Sequence, residues 1–136
     1  MIRPGTTGDI EAVLALWAGI RRYIPTTPDT PDALEALIAR DPEALLVAEV
    51  GGAVVGTLIA GWDGWRGDMY RLAVAAGHRR QGIGTALVRA GEARLERAGC
   101  RRVTALVATV DARAAAFWEA CGYPRDDLTV RHVRSL

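Results

Sequence analysis

Apolar residues recur along this chain with helical spacing in some stretches and strand spacing in others, and the switches mark out its elements. Ile2-Arg3 reads as a short first strand, after which Thr7 can cap a helix with Asp9 in its first turn and Ile10, Val13, Leu14, Trp17 and Ile20 on one face. Arg21 to Thr30 carries Pro25 and Pro28 among threonines and reads as a loop. Thr30-Pro31 then supplies the N-cap and first position of a second helix, with Leu34, Leu37 and Ile38 inward, and Asp41-Pro42 stops it. From Leu45 the spacing becomes that of strands. Leu45 to Val50 and Ala53 to Trp62 flank Gly51-Gly52, the signature of a two-residue hairpin, and Trp62 to Gly67 turns the chain into a third run, Asp68 to Val74.

The helical stripe returns in Thr85 to Ala98, with Leu87, Val88, Gly91, Leu95 and Ala98 on the side to be buried. Arg89, Glu92, Glu96 and Arg97 fall on its wet side, and Gly99 ends it. The strand Arg102 to Ala108 follows, so this helix is a right-handed crossover between parallel strands, while the earlier strands are antiparallel. The expected class is therefore α/β with a mixed sheet. Asp111 caps a last helix, Gly122 closes it, and Leu128 to Arg134 reads as a final strand.

At 136 residues and 14.6 kDa the chain fits a single domain, 1–136, with one core. Seventeen Lys+Arg against sixteen Asp+Glu leave a net charge of +1, which argues against a general binder of nucleic acid or membrane surfaces. Any anion must be met by a local cluster. Cys100 and Cys121 lack the spacing of a redox or zinc pair, and His78 and His132 are too few for the usual metal cages, so no metal is expected. Met1-Ile2-Arg3-Pro4-Gly5 has no apolar leader, and no run approaches the ~18 apolar residues of a membrane span; a cytoplasmic protein with packed thiols is expected.

The chemistry gathers in Val74-Ala75-Ala76-Gly77-His78-Arg79-Arg80-Gln81-Gly82-Ile83-Gly84-Thr85-Ala86-Leu87-Val88, where a strand passes through a basic, glycine-bearing loop into a helix. Gly82 and Gly84 allow successive N–H groups to converge where the helix N-terminus adds partial positive charge, which suits a pyrophosphate. A P-loop needs Lys after its second glycine, and Ile83 stands there. A dinucleotide fingerprint starting at Gly82 needs a small residue at Leu87 and a place in the first strand–helix unit, and has neither.

Arg79-x-x-Gly82-x-Gly84, between a strand and a helix, resembles the acyl-CoA loop of the Gcn5-related N-acetyltransferases. Asp111-x-x-Ala114-x-x-Phe117-Trp118-Glu119-x-x-Gly122-Tyr123 resembles that family's Asn-x-x-Ala-x-x-aliphatic-Tyr-Glu-x-x-Gly-Phe helix. Gly61-Trp62-Asp63-Gly64-Trp65-Arg66-Gly67 is similar to a Gly-Tyr-Asp-Gly-His-Arg-Gly turn in a short bacterial branch. The resemblance implies an antiparallel N-terminal meander, parallel splayed central strands and about four flanking helices.

It further implies transfer of acetyl from acetyl-CoA to a primary amine by direct attack. Gln81, Gly82, Ile83, Gly84 and Thr85 are then pyrophosphate donors, with Arg79 and Arg80 adding charge. Leu72, Ala73 and Val74 are backbone partners of pantetheine, and the Leu72 N–H is the oxyanion donor. Asp111 and Ala114 fall on the cofactor side of the last helix, although Asp111 replaces Asn and its secure role is that of an N-cap. Asp68 is the candidate base, and the two-residue strand period puts it on the face of Tyr70, Leu72 and Val74, against a plain turn reading beside Gly67 and loss of the amine proton through water. Trp118 stands where the family has a Tyr acid, and an indole cannot supply that proton near neutral pH. Tyr23, Asp63, Arg66 and Tyr70 are candidate acceptor contacts, Asp63 toward an amine and Arg66 toward a carboxylate, against a plain reading of that stretch as an Asp- and Gly-rich turn with an exposed Arg. The expected partner is a small amine or a peptide or protein amine, with the protein a monomer or homodimer. Alternatives are a CoA-binding sensor or inactive homologue, and a nucleotide-binding module using the same loop.

Overall fold

Runs that are apolar at every position, such as Leu45-Leu46-Val47-Ala48, need cover on both faces of a sheet. The computed structural model, which describes residues 1–20 and 27–136, supplies it. Its elements are β1 (Ile2–Pro4), α1 (Ile10–Ala18), α2 (Pro31–Arg40), β2 (Leu45–Val50), β3 (Ala53–Trp62), β4 (Gly67–Val74), α3 (Ile83–Ala98), β5 (Val103–Ala105) and α4 (Ala112–Ala120). The strands lie side by side in chain order, β1 to β4 antiparallel and β5 parallel to β4. This is the mixed sheet the sequence predicts. Leu46, Ala48, Leu58, Ala60 and Met69 join Leu87, Val88 and Leu95 of α3 and Trp118 of α4 in one core. On the other face Leu45, Val47, Ile59 and Ala73 pack with Ile10, Val13 and Trp17 of α1 and Leu34 of α2.

The local signals hold where a side chain meets nearby backbone. Thr30 Oγ1 accepts the Ala33 N–H at 3.2 Å, and Asp111 Oδ1 accepts the Ala114 N–H at 3.0 Å, so both predicted caps are made. Asp9 accepts the Thr6 N–H at 2.8 Å, which makes Thr6, not Thr7, the start of the first helical turn. Arg3 holds the same carboxylate at 2.8 and 2.9 Å, and this pairing draws Asp9 down to a pKa of about 2. Cys100 and Cys121 are free and buried, as expected.

Several expectations are corrected. Leu128 to Arg134 forms no strand: Leu128, Val130 and Val133 are exposed, and the local chain is held by short-range bonds such as the Leu128 N–H to Asp126 Oδ1. Alternation alone does not make a strand without a partner, and β5 spans three residues in place of the seven read from Arg102 to Ala108, which leaves a short ladder to extend. On α3, Ala98 is exposed while Arg94 is buried. Arg94 escapes the desolvation penalty by bonding the Glu43 carbonyl at 3.0 Å and pairing with Asp41.

Candidate active site

Strand β4 carries the most informative irregularity in the sheet. Thr57 of β3 lies opposite Ala73 and Ile59 opposite Tyr70, so Leu58 faces two residues, Arg71 and Leu72. Neither has a Cα partner on β3 or β5. Arg71 sits at φ +56°, a left-handed backbone that costs a non-glycine residue energy unless its surroundings hold it. They do: the Trp17 Nε1–H donates to Thr57 Oγ1 at 2.8 Å, and Thr57 donates to the Arg71 carbonyl at 2.9 Å. The Arg71 guanidinium lies 5.1 Å from the Trp17 ring centre and pairs with Asp29 at 2.5 Å.

The bulge overturns the two-residue count along β4. Asp68 and Tyr70 line a cleft on the α2 side, and Ala73 belongs to the core on that same face. Leu72 packs into the α3 core, and Val74 lies beside Gly84. Asp68 and Tyr70 therefore do not share a face with Leu72 and Val74, because one inserted residue reverses the side on which every later side chain emerges. β5 pairs with β4 only from Gly67 to Met69, so beyond Met69 the parallel strands are no longer joined.

Past the free end of β4, Arg79 Nε returns to the Val74 carbonyl at 3.2 Å, and Arg80 takes φ +61°. Gly82 sits at φ +81° and opens α3 without a capping side chain. The first N–H groups of that helix therefore keep their donors for an outside acceptor, with Arg79 and Arg80 exposed alongside. Gly84 serves a different end: a Cβ there would sit 3.2 Å from Phe117, so the missing side chain lets α4 close against α3.

The cleft on the first half of β4 has a volume of about 220 Å³ and is lined in part by Arg40, Trp62, Asp63, Arg66, Asp68 and Tyr70. Four of the sequence candidates thus meet in one place; Tyr23, the remaining acceptor candidate, lies outside the described residues. Asp63 is occupied, since its Oδ1 accepts the N–H groups of Trp65 at 2.8 Å and Arg66 at 2.6 Å, and these bonds hold its carboxyl below the usual range. The turn reading accounts for it. Burial, with the charge of Asp68 as the smaller cause, pushes the Tyr70 phenol upward, so it stays neutral near pH 7.

Trp118 is buried in the α3-side core, edge-on to Tyr123 with ring centres 5.1 Å apart. Tyr123 donates to Glu92 Oε1 at 2.8 Å, and burial followed by that carboxylate raises its phenol. Both rings pack in the α3-side core. Sequence reading missed Arg71, Trp17, Thr57 and Arg40. Trp17 and Arg40 fit an ordinary helix pattern, and no local signal announces a bulged arginine.

A mixed sheet that opens between its parallel strands, with an uncapped helix end past one strand terminus and a polar cleft along that strand's first half, suits an acyl-transfer domain. The family model described as Acetyltransferase (GNAT) family matches residues 11–123, and the chain belongs to that family. An acetyltransferase of Yersinia enterocolitica is 33% identical over 93% of this chain and 89% of its own length. Ard1 from Thermoplasma volcanium has a similar structure, with TM-score 0.78 and 26% identity over 90% of this chain and 80% of that one. A Chaetomium thermophilum protein solved with a bisubstrate analogue shares the fold at TM-score 0.74 and 21% identity, over 88% of this chain and 68% of the other. Among the described residues no cluster suits a metal ion, and no helix is long and apolar enough to cross a membrane.

Proposed function

We propose that this acetyltransferase moves acetyl from acetyl-CoA to a primary amine by direct attack. The observation that carries the reading is the uncapped N-terminus of α3, opened by left-handed Gly82 where β4 ends free of β5. The residues present fit the cofactor: unspent N–H groups of Ile83, Gly84 and Thr85 and the exposed Arg79 and Arg80 suit a pyrophosphate. Bound there, acetyl-CoA supplies an acetyl group activated as a thioester. The Leu72 N–H, in the bulge, is the main-chain donor for its carbonyl oxygen. Asp68 lies four residues earlier on the same strand, and an amine and water between the two can relay a proton. It draws the ammonium into the cleft and takes its proton, leaving the neutral amine to form the N–C bond as the C–S bond breaks. The thiolate needs no acid from Trp118, since a thiol pKa of about 8.5 lets it leave and take a proton from solvent.

The burial of Trp118 in the core favours a second reading, a CoA-binding protein without turnover. Calorimetry with acetyl-CoA, CoA, ATP and NAD, paired with a thiol-release screen over amines, separates the two. Transfer is expected to show preference for acetyl-CoA and CoA together with amine-dependent thiol release. Equal affinity for ATP sinks both readings, and acetyl-CoA binding with no thiol release from any amine leaves only the sensor.

A further inference from the structure

The cleft on β4 contains more charge than attack by an amine needs. Asp63 is spent on its turn and Asp41 is paired with Arg94, which leaves Asp68 as the lining carboxylate without a hydrogen-bonding or ion-pair partner among the described residues. Arg40, at the C-terminal end of α2, and Arg66, in the β3–β4 turn, make no salt bridge to a carboxylate among the described residues, although both line the same cleft and the charge of Arg66 acts on Asp63. Arg66 rests over the Trp65 ring with 5.1 Å between its guanidinium carbon and the ring centre, which holds the group at the cleft without neutralising it. The charges have an order along the strand. Arg66 precedes β4, Asp68 and Tyr70 follow on the cleft face, and the bulge at Arg71 and Leu72 comes last. A ligand lying along this line meets Arg66 at its outer end and a carboxylate nearer its reacting end, with Arg40 lining the same cleft.

The cleft, about 220 Å³, has room for a small amine. Resting on the acetyl-transfer reading for its orientation, we infer that the acceptor is a small amine that also carries an oxyanion. Asp68 holds its ammonium, and Arg40 and Arg66 hold its carboxylate or phosphate. Guanidinium groups recognise both oxyanions through paired N–H donors, and a plain alkylamine leaves them unmet.

Matched amines test this on the CoA-loaded protein, with dissociation constants read by ligand-observed NMR. 4-Aminobutanoate is compared with butylamine, and O-phosphoethanolamine with ethanolamine, so that the two arms tell a carboxylate from a phosphate ligand. In at least one pair the oxyanion-bearing member is expected to bind about tenfold more tightly, with the preference shrinking at high salt. Arg40→Gln with Arg66→Gln is expected to bring that ratio near one. Each single variant, with a surface side chain changed, is expected to remove about threefold of it. Equal binding within both pairs, or a ratio that survives the double variant, overturns the inference. A protein that shows the charge-dependent binding but releases no thiol from acetyl-CoA overturns the transfer reading and keeps only the oxyanion-bearing amine as the cleft's ligand. One that acetylates butylamine and ethanolamine as readily as their charged counterparts does the reverse.

Discussion

The two ends of the site are made of different material. At the α3 end the groups on offer are main-chain N–H donors, fixed by a helix start and a left-handed glycine, with exposed arginines alongside. At the β4 end they are side chains, Asp68, Tyr70, Arg40 and Arg66, brought from a strand, a turn and a helix into one cleft. A backbone site recognises what the family shares, because many sequences can form the same N–H array. A side-chain site changes with single substitutions, so it is where relatives on one fold can differ in acceptor.

The largest test of this contrast is Asp68→Asn, which keeps shape and removes the charge. It is expected to lower kcat by roughly two to four orders of magnitude with acetyl-CoA affinity nearly unchanged; a loss under about threefold in steady-state assays would assign deprotonation to water alone. At the other end Gly82→Val forces a β-branched residue into φ +81° and is expected to weaken acetyl-CoA binding by about a hundredfold or more, with the circular dichroism spectrum retained. Normal affinity in that variant would place the pyrophosphate elsewhere.

Arg71 stands between the two ends and separates backbone from side chain within one residue. Arg71→Gly accepts the positive φ but loses the contacts with Trp17 and Asp29, whereas Arg71→Ala loses the contacts and keeps the strain. If those contacts position the bulge, both variants should lose kcat about tenfold while acetyl-CoA affinity holds. Full activity in the glycine variant would show that only the backbone angle matters. The smallest kinetic effect is expected from Trp118→Phe, a packing change: activity within about tenfold of the parent, and a stability loss of about 1–2 kcal/mol by urea denaturation, since an edge-on aromatic contact in the core is weakened. A hundredfold loss of activity in a well-folded variant would give the indole a chemical role.

Much of this fold was legible because its signals are local. The Gly51-Gly52 hairpin, the caps at Thr30 and Asp111 and the stops at Gly99 and Gly122 each depend on residues a few positions apart. The loop end of the site shared that property, since a strand, two glycines and a helix start are contiguous in the chain. The cleft end did not. Counting by twos along β4 fails at Arg71 because an inserted residue leaves no mark in the hydrophobic pattern. Arg40 reads as a basic residue in a last helical turn, where it complements the helix dipole, and only the tertiary structure brings it beside Asp68 and Arg66. Leu128 to Arg134 failed in the opposite direction: its pattern suits a strand, but a strand also needs an edge to join.

The early end of the β4–β5 ladder at Met69 also decides when the energetic cost of the opening is met. Ladder bonds that two parallel strands could have made beyond Met69 are given up as the chain folds, before any ligand arrives. A ligand arm entering between the strands therefore has no sheet to pull apart. Its arrival restores main-chain pairing instead of breaking it, so binding should slow amide hydrogen exchange in the second half of β4 and leave the first half, already paired on both sides, unchanged.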